Sequence, residues 1–88
     1  MKLIDMEKTG RLLRNYREYH QLTYEQLAQK LGMAPSGIRR WEKGMTSPGA
    51  YALVNLADIY GRSIDDLIVT IDGPDPVPLS ELRGRRRK

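Results

Sequence analysis

Arg39, Arg40 and Lys43 are interleaved with Ile38 and Trp41 in the run Ile38-Arg39-Arg40-Trp41-Glu42-Lys43-Gly44. Cations at this spacing suit recognition and not bond-making. A guanidinium presents a planar fork of donors that matches two acceptors at once, on a phosphate or on the O6/N7 edge of guanine. A lysine ammonium adds a point charge for a polyanion. Bond-making chemistry has no comparable grouping. There is no cysteine, and His20 is the single histidine, so thiolate and histidine metal sites are not expected. Asp65 and Asp66 are adjacent and point in different directions on a helix, which is poor for shared acid-base or metal work. The sequence therefore predicts no enzyme, no cofactor and no metal.

Two short helices joined by a glycine turn are needed to position these cations. Thr23 and Gln26 have the T-x-x-Q spacing of a capping box, and Leu27, Ala28 and Leu31 then share one apolar face. That leaves Tyr24, Glu25, Gln29 and Lys30 largely outside. Gly32 is placed where a left-handed residue ends the helix, and Ala28 is small enough for a second helix to cross closely. Pro35 opens that second helix, Ile38 and Trp41 give it an apolar face, and Gly44 closes it. The pair reads as a device for entering the major groove of DNA. An ordinary helical hairpin inside a small bundle is the plain alternative.

The remaining elements follow the same periodicity. A first helix is predicted from about Asp5 to His20, with Leu12, Leu13, Tyr16 and Tyr19 as its core stripe; Gly10 allows a start as late as Thr9. Ser47-Pro48 reads as a cap and first turn for a helix that buries Leu53, Leu56, Ala57 and Tyr60 and stops at Gly61. Ser63 and Asp66 predict a second capping box and a short fifth helix carrying Ile64, Leu67 and Ile68. The β-prone Ile68-Val69-Thr70-Ile71 is expected to pair across a dimer interface. Two regions result: a domain over residues 1–71, and a Pro-rich linker with a basic tail over 72–88, expected to be disordered, with a brief turn at Leu79 to Leu82.

Charge is segregated along the chain. Eight basic residues face three glutamates between Lys8 and Lys43, whereas Arg62 faces six acids between Gly44 and Leu82, and five further cations lie from Arg83 to Lys88. This suits a molecule that turns one side to a polyanion. No apolar run of membrane-spanning length and no leader-like N-terminus is present, so a soluble, cytoplasmic protein is expected.

The stretch from about Gly10 to Ile68 resembles the lambda-repressor-like helix-turn-helix family, also called the Cro or XRE type. The matching motifs are Leu27-Ala28-Gln29-Lys30-Leu31-Gly32, Ile38 through Gly44, Pro48 as the proline opening the fourth helix, and Leu53 to Ala57. The resemblance implies an all-α, compact five-helix domain followed by an extended basic tail, and a transcriptional regulator, a repressor, that binds double-stranded DNA as a homodimer. Carried over position by position, it implies base contacts from Pro35, Ser36, Arg39 and Arg40, with Arg39 also suited to phosphate. It implies phosphate contacts from Tyr24, Gln29, Lys43 and Met45, and a structural ion pair between Arg17 and Glu42. Ala34 stands where a capping Ser or Thr is common, Gly37 offers no side chain to a base, and Arg62 replaces a usually apolar residue. Direct readout is therefore sparse, and affinity is expected to lean on phosphates, the tail and DNA shape. Two other functions fit the same features: an antitoxin-like module acting through a protein partner, and non-specific nucleic-acid binding through the arginine-rich tail.

Overall fold

The computed structural model describes residues 2–84. Helix α1 (Met6–Tyr19) is capped by Asp5, whose carboxylate accepts from the Lys8 amide at 2.9 Å. Gly10 is interior to it and buried, because the backbone carbonyls of Trp41 and Glu42 occupy the space a Cβ would need. Helix α2 (Tyr24–Leu31) has the predicted reciprocal cap: the Gln26 amide donates to Thr23 Oγ1 at 3.0 Å and the Thr23 amide to Gln26 Oε1 at 2.9 Å. Gly32 ends it in the left-handed region, with φ of 68°.

Helix α3 (Pro35–Glu42) starts from Ala34 without a side-chain cap. Its Ile38 and Trp41 enter a core shared with Leu12, Leu13, Leu27 and Ala28. Beyond it Gly44, at φ of 74°, lies so close to α1 that a Cβ would be 2.9 Å from Glu7 Cα. The start of α1 and the end of α3 thus meet backbone to backbone at Gly10 and Gly44.

Four expectations are corrected. Helix α4 (Ala50–Tyr60) begins two residues after Pro48 with Gly49 as its cap; Pro48 itself is buried, so the ring packs into the molecule and does not serve as a first helical turn. The fifth helix is a single 3-10 turn, Ile64–Leu67, although its Ser63–Asp66 capping box forms. Leu67 is fully buried, while Ile64 remains 37% exposed. The turn stops there because Ile68 is already extended, at φ −115° and ψ 134°, as its β-branched type favours.

That extended run pairs within the chain. The Asp5 amide donates to the Val69 carbonyl at 2.8 Å and the Ile71 amide to the Leu3 carbonyl at 2.9 Å, around an antiparallel bridge between Ile4 and Thr70. Buried Thr9 completes the junction, its hydroxyl donating to the Val69 carbonyl at 3.2 Å and accepting from the Val69 amide at 3.0 Å. The run's amide and carbonyl groups on this edge are taken by residues 3–9, which removes the reason for expecting a dimer partner there.

The last correction concerns the segment after Asp72. It leads into α5 (Leu79–Gly84), which packs on α1 and sets Leu82 into the core at 1% exposure. Asn15 Nδ2 holds the approach by donating to the Val77 carbonyl at 2.7 Å. Three prolines keep residues 74–78 out of a helix, and the carbonyl of Pro78 then accepts from the Glu81 and Leu82 amides as α5 begins. The expected disorder of residues 85–88 lies outside the described residues.

Candidate nucleic-acid interface

Helix α3 has two opposite faces. Ile38 and Trp41 are buried, at 1% and 8% exposure, whereas Ser36, Arg39, Arg40 and Lys43 are exposed and recur at i, i+3, i+4 and i+7. The core contacts therefore fix which way the basic stripe looks. Among the described residues Arg40 has no ion-pair partner. Its carbonyl, by contrast, is used: the Met45 amide donates to it at 2.9 Å and ties down the loop after the helix. Lys43 is the C-terminal cap residue of α3, and Met45 is 64% exposed beside it. Pro35 is half-buried at the opposite end.

The orientation of α3 is set by a bidentate ion pair. Arg17 Nε donates to Glu42 Oε2 at 2.7 Å and Arg17 Nη2 to Glu42 Oε1 at 3.0 Å, with both side chains nearly removed from water. Arg17 Nη1 donates in addition to the Leu22 carbonyl at 2.9 Å, so one guanidinium joins α1, the α1–α2 loop and the end of α3. The hydrogen bond to Glu42 raises the Arg17 pKa above its ordinary value, outweighing the opposing effect of burial.

Tyr24 is half-buried at the start of α2, and the Arg17 guanidinium lies 4.2 Å from its ring centroid. Arg39 lies over the same ring at 5.1 Å and approaches Glu25 Oε2 at 3.9 Å. The two arginines of α3 are therefore in different situations, Arg39 drawn toward α2 and Arg40 left outward. Gln29, on the exposed side of α2, joins none of these contacts. Sequence reasoning missed Glu25, which is an exposed glutamate on a helix and carries no signal of its own until α3 is placed beside it. The Met33 methyl lies against Gly37, so the one neighbour a side chain there would displace is the flexible end of Met33.

Among the described residues no group of three or more His, Cys, Asp or Glu is arranged to hold a metal ion, and no helix is long and apolar enough to cross a membrane.

A family model described as a helix-turn-helix domain matches residues 9–68. The uncharacterised HTH-type transcriptional regulator YobD of Bacillus subtilis is 42% identical over 64 residues, which is 73% of this chain and 57% of that protein. An uncharacterised HTH-type transcriptional regulator of Methanocaldococcus jannaschii is 37% identical over 60 residues, 68% of this chain and 91% of the relative. The chain thus spans little more than half of the first relative and nearly all of the second. Among solved structures, the restriction-modification controller protein C.AhdI of Aeromonas hydrophila superposes with a TM-score of 0.66 at 27% identity, covering 72% of this chain and 96% of that one.

Proposed function

Because the chain belongs to the lambda-repressor-like helix-turn-helix family of transcriptional regulators, we propose that it is a sequence-specific repressor acting in the cytoplasm, with α3 in the major groove of its operator. The observation that carries this reading is the exposed stripe of Ser36, Arg39, Arg40 and Lys43, held opposite the buried Ile38 and Trp41. Arg40 reads a guanine edge, Ser36 and Pro35 approach the bases beside it, and Tyr24, Gln29, Lys43 and Met45 flank the phosphates. One such helix covers a half-site only, so the protein acts as a homodimer on two half-sites about one helical turn apart.

Action mainly through a protein partner is a second reading, favoured by Tyr51 and Val54, which stand 80% and 56% exposed on α4. Binding over a salt series tests the repressor reading against non-specific binding. A repressor keeps a preference for the duplex upstream of its own gene over random duplex at about 200 mM salt. Equal affinity for both duplexes, falling steeply together with salt, contradicts the proposal.

A further inference from the structure

Arg39 is not equivalent to Arg40, and the difference comes from α2. Its guanidinium stands over the Tyr24 ring and 3.9 Å from the Glu25 carboxylate, while the Tyr24 ring is itself set by Arg17, which three hydrogen bonds hold in place. A chain of contacts thus runs from the buried Glu42 through Arg17 and Tyr24 to Arg39 and Glu25 at the surface. The outer pair is half-exposed or more, with the Arg39 side chain at 50% and that of Glu25 at 69%, so its strength is set by solvent and salt and it opens readily.

Resting on the DNA-binding reading above, we infer that Glu25 is a specificity-setting residue: it neutralises Arg39 and keeps that cation from acting as an indiscriminate phosphate anchor. The physical reason is competition. A phosphate that takes Arg39 must displace a carboxylate already beside it and then sit near an unpaired negative charge. The net gain from Arg39 on any duplex is therefore reduced, and more of the discrimination is left to groups that meet base edges, Arg40 foremost. A protein whose first four α3 positions supply only Ser36 as a polar side chain has little direct readout to spare, so suppression of sequence-blind attraction raises the ratio of specific to non-specific binding.

The test is a double-mutant cycle on the full chain, reading the affinity and salt slope for a random-sequence duplex and for the duplex most enriched by wild-type protein in selection from random oligonucleotides. Glu25→Gln is expected to tighten binding to random duplex several-fold, to steepen the slope of log K against log salt by about one unit, and to narrow the preference for the selected duplex. Glu25→Gln with Arg39→Gln is expected to return the slope to the wild-type value, since both partners are then neutral. Both side chains are exposed, and matched melting curves confirm that folding is untouched. An unchanged slope and random-duplex affinity in Glu25→Gln, with wild-type preference intact, overturns the role of Glu25 and leaves the DNA-binding function standing. Retention of the Glu25→Gln behaviour in the double variant overturns it equally, because Arg39 would then not be the mediator. If the wild-type protein enriches no duplex at all, the function fails and this inference with it.

Discussion

Glu42 receives both of its carboxylate hydrogen bonds from Arg17, at 2.7 and 3.0 Å, in a site where the two side chains are only 4% and 11% exposed. A pair so far from water gains little net stability over an apolar replacement, but it fixes the angle at which α3 leaves the body of the molecule. Removing one partner strands the other. Glu42→Gln is expected to cost about 3–5 kcal/mol. For a chain of this size that lowers Tm by more than about 10 °C, as calorimetry will show. Replacing both partners by apolar residues of similar volume is expected to cost less than the single change. A Glu42→Gln protein with wild-type Tm and wild-type DNA affinity would make the pair ornamental.

Two helical glycines are expected to respond to substitution in opposite ways, because one faces backbone and the other a flexible side chain. At Gly10 a Cβ meets backbone carbonyls of Trp41 and Glu42, the latter at 2.8 Å, so Gly10→Ala must push the helices apart. Overpacking of about 1–3 kcal/mol is expected to outweigh a helix-propensity gain of about 1 kcal/mol. At Gly37 the obstacle is the mobile end of Met33 alone. Gly37→Ala is expected to be neutral or to stabilise by up to about 1 kcal/mol, with urea unfolding as the measure of both.

His20 gives the fold a pH dependence of known sign. Its ring packs edge-on to Tyr19 and stacked on Tyr60, each with centroids 5.1 Å apart, and burial lowers its pKa below the ordinary 6.5 despite a hydrogen bond to the Tyr60 backbone. The unfolded chain then takes up a proton at a higher pH than the folded one. Stability present above 6.5 is accordingly lost as pH falls through the window below it. The urea midpoint is expected to drop between about pH 7 and about pH 5.5, and His20→Asn is expected to flatten that part of the profile.

Leu82 ties the C-terminal segment to the core. Leu82→Ala is expected to cost about 2–3 kcal/mol and to free residues 77–82 first, seen as rapid amide exchange there while α2 and α3 keep their protection. Exchange rising equally in all three regions would show that α5 is integral to the reader helices.

What could be read from the chain in advance was what is local. The Thr23–Gln26 cap, the left-handed Gly32 and the Ile38–Trp41 face are written within one or two helical turns, and each stands where the pattern placed it. Pairing of Ile4 with Thr70 joins segments more than sixty residues apart, and nothing in either segment names its partner. The burial of Leu82 was hidden for another reason: a six-residue helix behind three prolines carries too few apolar positions to show a period. Arg17 and Glu42 were matched through family resemblance, since two opposite charges 25 residues apart are unremarkable by themselves. The contact of Glu25 with Arg39 depends on the crossing of α2 and α3, and appears only once both helices are placed.

Arg40 decides the central claim, because it is the arginine on the outward face of α3 without an ion-pair partner among the described residues. Selection of bound sites from a random-oligonucleotide pool, run in parallel with wild-type protein and Arg40→Ala, measures its role directly. The wild-type pool is expected to converge on a two-fold site with a guanine in each half. The variant is expected to recover that site with the guanine position relaxed, at a loss of about 1–3 kcal/mol of discrimination per contact. Two pools with the same guanine preference, or a wild-type pool that converges on nothing, would contradict the assignment of α3 as the reading helix.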